Sequence, residues 1–412
     1  MRLVFGLGRS GLGVLEFLAR RGQAARFYDD RPRPEDLKAA LRLGFAPDPD
    51  PRPGRYAEVV AAPGVPLDHP RLAGLAAPVI GEAELAWREG PAEIVAVTGT
   101  AGKTSTTAYA AWILRRLGVD AEAGGNIGPP LVEVADRARV AVAELSSFQL
   151  ERIRGFHPRV AVLLNLGEDH LDRHRSRAAY HRAKLRILEN LTAADAVVFN
   201  ADDPAIRRAV AESPAQRFPF RPDPDADRTN RRAAARAAEA FLALAGRDPD
   251  PAPLARAAEA APPVPGRFEV IGRRGGVVFI DDSIATRTLA VEAALRRAPA
   301  PIAWILGGRD KGADPARLRR LVAERVAVIL AIGEDGPRLA RAYADLVPVV
   351  AIEERGPAAL ARAVAEGLAW IDRGSVLLAP MAASFDMFAN YRERSRAFRE
   401  AVKEATWTPS SC

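Results

Sequence analysis

Short apolar runs recur along the chain, separated by stretches with helical spacing of apolar positions. Leu3–Gly6, Ala25–Tyr28 and Glu58–Ala62 read as strands, and Gly11–Arg20 as a helix. Ile94–Val97 runs into a Gly-bearing turn, after which Gly102-Lys103-Thr104 opens a helix. Val140–Ala143, Val160–Leu164 and Ala196–Phe199 read as further strands. The pattern then resets with strands predicted at Val277–Ile280, Ile302–Leu306, Val326–Ile332 and Val376–Leu378. Short apolar runs alternating with helical segments mark parallel sheets covered on both faces. The Pro- and Asp-rich stretch Pro219–Arg228 reads as a loop, and an Ala-rich helix is predicted over Arg231–Leu244. Pro262, Pro263 and Pro265 mark a linker. The expectation is an α/β protein of three domains, covering residues 1–87, 88–262 and 263–412.

The stretch from Thr98 to Thr106 reads Thr-Gly-Thr-Ala-Gly-Lys-Thr-Ser-Thr. A strand, a glycine turn and a helix start together present backbone N–H groups to a phosphate, with the helix N-terminus adding positive potential. Gly99 and Gly102 shape the turn, Lys103 can reach the outer phosphates, and Thr104 or Ser105 can hold Mg²⁺. The spacing is a shortened P-loop, because the first glycine of the longer form would fall at Val97. The central domain is therefore expected to bind ATP or a similar triphosphate. Gly6-x-Gly8-x-x-Gly11 follows the first strand, with Asp29 and Asp30 about twenty residues on. Such a turn recognises a diphosphate, so a nucleotide-sugar diphosphate would serve as well as NAD. The first and third domains read as Rossmann-like. Glu144 ends a strand and faces the ligand crevice, as a Mg²⁺ ligand or a solvated strand end. Glu168, Asp169, His170 and Asp172 cluster after the next strand, as a metal or acid–base site or a polar helix cap. Oxygen donors suit Mg²⁺, whereas a His ligand is compatible with Mn²⁺.

Composition narrows the classes. The formal net charge is +7, but no dense basic run with interleaved aromatics appears. Anionic small-molecule ligands are favoured over nucleic acid. The cations are nearly all Arg, and the lysines are only Lys38, Lys103, Lys184, Lys311 and Lys403. Where Arg is the default, a retained Lys can mark a site that needs an amine or a compact point charge. Lys103, Lys184 and Lys311 are the candidates, and Lys38 and Lys403 are expected on the surface. The only cysteine is Cys412, which excludes a disulfide framework and fits a reducing cytoplasm. The first residues read as a strand interrupted by Arg9, neither a signal peptide nor a membrane span.

The motifs TGTAGKTS, Gly125-Asn126-Ile127-Gly128, ELSSFQLE, NLGEDHLDRH, the YHRAKLR segment around Lys184 and Asn200-Ala-Asp-Asp203 occur in an order that resembles the Mur ligases of peptidoglycan synthesis. The resemblance spans nearly the whole chain. The N-terminal GxGxxG domain and the run APMAASFDMFANYRERSRAF (379–398) point to the member that adds D-glutamate, and no Asp-Asn-Pro-Arg motif of the diaminopimelate- or lysine-adding member appears. The resemblance implies an ATP-dependent ligase that activates the carboxylate of UDP-N-acetylmuramoyl-L-alanine as an acyl phosphate and joins it to D-glutamate. It implies that Lys103 and Thr104 hold ATP phosphates, that Ser105 and Glu144 serve one Mg²⁺, and that His170 serves a second. Lys184 is implied to be carbamylated by CO₂ near the metals. Arg9, Ser10, Asp29, Asp30 and Arg31 would line the uridine-diphosphate site, while Asn126 and Ser147 would touch the muramoyl part. Arg267 and Asp282 would contact ATP. Thr286, Lys311, Ser384 and Tyr391 would form the D-glutamate site. A cytoplasmic monomer is expected, with the C-terminal domain closing over the acyl phosphate.

Several positions depart from the family pattern. Ala101 stands for Asn in the phosphate turn, Gly266 for His before Arg267, and Ala233 for an Asn that meets adenine. Ile284 stands for a Lys, while Arg287 and Arg309 are extra cations that could restore its charge. Alternatives remain: a Mur ligase for another amino acid, a folylpolyglutamate synthase-like enzyme, a nucleotide-binding ATPase or regulator, and an NAD-binding protein.

Overall fold

The computed structural model describes residues 1–247, 250–310 and 312–406; Lys311 and Cys412 lie outside them. The chain divides into two compact units, Met1–Pro262 and Pro263–Cys412. The division falls within the proline-rich segment that the sequence marks as a linker.

The first unit contains two parallel sheets. One has the strand order β3-β2-β1-β4-β5, with β1 Arg2–Phe5, β2 Ala25–Tyr28, β3 Ala46–Pro47, β4 Glu58–Ala61 and β5 Val79–Ile80. The other has the order β11-β10-β9-β6-β8-β7, with β6 Glu93–Thr98, β7 Ala121–Gly125, β8 Val140–Glu144, β9 Val160–Leu163, β10 Ala196–Asn200 and β11 Gln216–Phe220. Ile94 to Val97 are all buried, as a central strand covered on both faces requires. One apolar core joins the two sheets: Val14 and Leu15 from the helix Gly8–Arg20 pack with Leu85, Leu131 and Val134 from helices beside the second sheet.

The second unit has one sheet, ordered β12-β13-β17-β14-β15-β16. Its strands are β12 Glu269–Arg274, β13 Gly276–Asp281, β14 Ile302–Gly307, β15 Val326–Ile332, β16 Val349–Ala351 and β17 Arg373–Leu378. All neighbours are parallel except β12, which pairs antiparallel with β13. Separate cores on the two faces include Leu306, Val322 and Tyr343 on one, and Phe279, Leu360 and Phe398 on the other.

The sequence reading misplaced one segment. Pro219 and Phe220 belong to β11, not to a loop, and the following helix spans Ala226–Leu244. β11 is an edge strand, where a proline lacking its N–H is tolerated. The helix starts early because the Asp225 carboxylate accepts hydrogen bonds from the N–H groups of Asp227 and Arg228. β7 escaped notice because Gly124 and Gly125 dilute its apolar signal. Among the described residues no helix is long and apolar enough to cross a membrane.

Candidate active site

The turn after β6 is held by its neighbours. Asn165, beyond the end of β9, accepts hydrogen bonds at Oδ1 from the N–H groups of Thr100 (3.0 Å) and Ala101 (2.9 Å). Its Nδ2 donates to the Ala101 carbonyl at 3.1 Å. The peptide at Ala101 is thus fixed from outside, whatever its own side chain. Gly102 has φ +83°, and a Cβ there would lie 2.4 Å from Asn230 Oδ1, so the turn needs glycine for both conformation and space. The helix Lys103–Arg116 starts at once, and the buried Thr104 and Ser105 occupy its first turn.

Two ammonium groups meet one carbonyl here. Lys103 Nζ donates to Gly99 O at 2.9 Å and Lys184 Nζ donates to the same oxygen at 2.8 Å. Lys184 comes from the helix Arg177–Leu185, is almost wholly buried, and lies over the Tyr180 ring. Burial, with repulsion from Lys103 second, pushes its pKa down to about 7. Two lysines thus share one carbonyl, and a lysine of this pKa is about half neutral at pH 7.

Glu144 ends β8 beside this turn and is buried. Thr104 Oγ1 donates to one carboxylate oxygen (2.6 Å) and Asn126 Nδ2 to the other (2.7 Å). Arg9 Nη2 donates to the Asn126 carbonyl at 2.7 Å, linking the glycine turn of the first sheet to the second. Ser10 Oγ donates to Glu82 at 3.1 Å, and burial raises the pKa of that carboxyl.

The loop after β9 forms another cluster. His170 adopts φ +53°, uncommon for a residue with a side chain, lies 3.4 Å from Asp169 and packs on the Phe148 ring. Among the described residues no three His, Cys, Asp or Glu side chains are grouped as metal ligands. Ser147 is buried and its Oγ lies 2.9 Å from His174 Nε2, while His174 Nδ1 faces Glu151 at 3.3 Å. Sequence reasoning missed Asn165, His174 and Glu151. Each lies in or beside a quoted motif, but their roles depend on which loops meet.

The first sheet places its candidates less uniformly. Both oxygens of Asp29 accept backbone bonds, from Leu7 N (2.7 Å) and Arg31 N (2.9 Å), so this carboxylate ties β1 to β2. Asp30 accepts from the Tyr28 hydroxyl and pairs with His69 at 2.8 Å; these contacts hold its pKa low. In the helix behind the turn, a Cβ at Gly11 would lie 2.0 Å from the Gly6 carbonyl, which explains the last glycine of the GxGxxG pattern.

In the second unit Asp282 follows β13 and is buried; this pushes its pKa up to about 7, against the Phe268 N–H and the charge of Arg267. Thr286 is half-buried, Ser384 is buried, and Tyr391 opens the helix Tyr391–Thr406. Beneath them the buried Asp281 accepts bonds from Ser283 and Ser395, and the buried Arg394 donates to the carbonyls of Ser283 and Ala382.

The chain matches three family models: a Mur ligase MurD-like N-terminal domain over residues 1–81, a Mur ligase middle domain over 97–239, and a Mur ligase glutamate ligase domain over 266–380. It is similar over its full length to a UDP-N-acetylmuramoylalanine–D-glutamate ligase of Thermus thermophilus, with 60% identity and all of both chains covered. It is 48% identical to the protein of that name in Deinococcus radiodurans, over 99% of this chain and 93% of the relative. The fold is shared with a pseudomurein peptide ligase type C from Methanothermus fervidus (TM-score 0.58, 16% identity, 98% and 99% covered). It is also shared with a UDP-N-acetylmuramate–alanine ligase from Thermotoga maritima (TM-score 0.56, 19% identity, 98% and 99% covered). Three domain matches, with 60% and 48% identity to the Thermus and Deinococcus ligases over nearly all of this chain, give one conclusion: the chain belongs to the Mur ligase family.

Proposed function

We infer that this protein is an ATP-dependent ligase that joins D-glutamate to UDP-N-acetylmuramoyl-L-alanine in peptidoglycan precursor synthesis. The observation that carries this reading is the full-length 60% identity to a ligase of that name. The geometry supplies the chemistry. A carboxylate is a poor electrophile, so the terminal phosphoryl group of ATP passes to the L-alanine carboxylate, giving an acyl phosphate and ADP. Lys103 and the N–H groups at the start of the helix Lys103–Arg116 neutralise the charge on the transferring group. The unprotonated amine of D-glutamate then attacks the acyl carbon, loses a proton, and expels phosphate to leave the amide.

The residues at the turn fit Mg²⁺. Glu144 and the hydroxyls of Thr104 and Ser105 are hard oxygen donors, and Mg²⁺ takes one or two carboxylates together with phosphate oxygens and water. Ser105 and Glu144 would hold one ion; His170 and the carbamate of Lys184 would serve a second. When bound, the metal supplies positive charge to the phosphate oxygens. The depressed pKa of Lys184 supports carbamylation, because only a neutral amine adds to CO₂.

The domain reading follows: residues 1–87 for the uridine diphosphate, with Arg9, Ser10, Asp29, Asp30 and Arg31; 88–262 for ATP; 263–412 for the amino acid. Asn126 and Ser147 are proposed for the muramoyl part, Arg267 and Asp282 for ATP, and Thr286, Lys311, Ser384 and Tyr391 for D-glutamate. The enzyme is proposed to act in the cytoplasm. Phosphate release from ATP with UDP-N-acetylmuramoyl-L-alanine is the test, run against a panel of amino acids. Release with D-glutamate is expected. Release only with another amino acid would overturn the specificity and keep the reaction.

A further inference from the structure

The carboxyl ends of β13, β14, β15 and β17 meet at one edge of the second unit's sheet, where α/β sheets bind their ligands. Arg309 follows β14, and its backbone exchanges two hydrogen bonds of 2.8 Å with Ala383. That bridge fixes Arg309 beside Ser384. The close approach is built in: a Cβ on the preceding Gly308 would lie 2.1 Å from the Ala383 carbonyl.

The Arg309 guanidinium donates through Nε (3.2 Å) and Nη2 (3.1 Å) to one carboxylate oxygen of Glu334. Glu334 lies in the turn after β15, and its N–H donates to Asp386 at 2.9 Å, two residues beyond Ser384. A guanidinium fork and the carboxylate of a glutamate side chain are therefore held together at the crevice. The pair is open to water, with side chains 57% and 50% exposed, so its net worth is small. Neighbouring Arg338 differs, because its nitrogens are divided between Asp310 (2.8 Å) and Asp335 (3.1 Å).

We propose that Arg309 is a specificity-determining residue that binds a carboxylate of the incoming amino acid, and that Glu334 holds the guanidinium until that carboxylate displaces it. The proposal rests on the D-glutamate ligase reading. The exchange replaces one carboxylate by another, so charge at the fork is conserved. Arginine suits the task, since its planar fork matches carboxylate geometry. The charge absent at Ile284 is then supplied by Arg309, not by Arg287, which stands just before the helix Thr288–Arg297 and lacks the bridge to Ala383 that sets Arg309 beside Ser384.

The test is steady-state phosphate release with D-glutamate varied at saturating ATP and UDP-N-acetylmuramoyl-L-alanine. Arg309→Ala is expected to raise the KM for D-glutamate about ten- to hundred-fold, the loss of a charge-assisted hydrogen bond, with the KM for ATP within about twofold. Arg309→Lys should recover part of the loss. Glu334→Gln should lower the KM by up to about fivefold, because the internal competitor is gone. An unchanged KM in Arg309→Ala overturns the proposal, as does a rise in Arg287→Ala alone. If the wild-type protein releases no phosphate with D-glutamate, the underlying reading fails, and the proposal with it.

Discussion

Replacing Lys184 with methionine is expected to stabilise the protein at neutral pH while abolishing ligation. The ammonium group is buried, so its pKa is about 7 in the folded chain. In the unfolded chain it is about 10.4. At about 1.36 kcal/mol per unit, keeping the charge buried costs roughly 4–5 kcal/mol at or below pH 7. Methionine removes that cost. It also removes the bond to Gly99 O and the contact with the Tyr180 ring, which returns about 1–2 kcal/mol. Gly99 O keeps Lys103 as its donor. The net gain at pH 7 is about 2–4 kcal/mol. The sign follows from proton binding. Between the folded and unfolded pKa values the unfolded chain binds the extra proton, so wild-type stability rises with pH across that window. The advantage of the variant should therefore vanish by pH about 10. Urea unfolding of both proteins at neutral and alkaline pH, in CO₂-free buffer, measures it. An equal difference at both pH values, or a destabilised variant at pH 7, would refute the reasoning. The same amine gives a functional readout: bicarbonate should restore the rate of CO₂-stripped wild type and leave Lys184→Met inactive.

Gly102→Ala should raise the KM for ATP at least tenfold and destabilise the first unit by about 1–3 kcal/mol, since it adds strain at positive φ and a clash with Asn230; thermal unfolding and ATP titration check this. Asp282→Asn should stabilise the second unit at pH 8 by up to about 4 kcal/mol, because its raised pKa makes wild-type stability fall as pH rises through about 4–7. Unfolding curves at pH 4 and 8 should show the gain only at the higher value. Glu144→Ala should cost about 2–3 kcal/mol, by leaving the Thr104 and Asn126 donors without their acceptor, and should raise the Mg²⁺ concentration needed for half-maximal phosphate release.

The turn at Thr98–Thr106 was legible in the sequence because its parts are consecutive: a strand, two glycines, a lysine and a helix start. The expected split between surface and site lysines agrees with burial at three positions. Lys38 and Lys403 are exposed, whereas Lys184 is 1% exposed against the turn. Asp29 shows what spacing leaves out. Its position after GxGxxG suggests a ribose ligand, and in the fold each of its oxygens also accepts a backbone N–H bond, with lone pairs left over. Spacing along a chain reports which residues reach one end of a sheet, not which backbone groups they also hold.

The sequence by itself determined the layered α/β architecture, through apolar runs that must be buried on both faces, and the strand–glycine turn–helix unit at Thr98–Thr106, through contiguous residues whose backbone geometry is local. It also carried the family order of the motifs. Tertiary structure alone decided the rest. It brought Lys103 and Lys184 onto one carbonyl, pinned Ala101 with Asn165, and set Glu334 against Arg309. These pairings join residues from different strands and loops. Their energies arise from burial and charge proximity, quantities that exist only once the chain is folded.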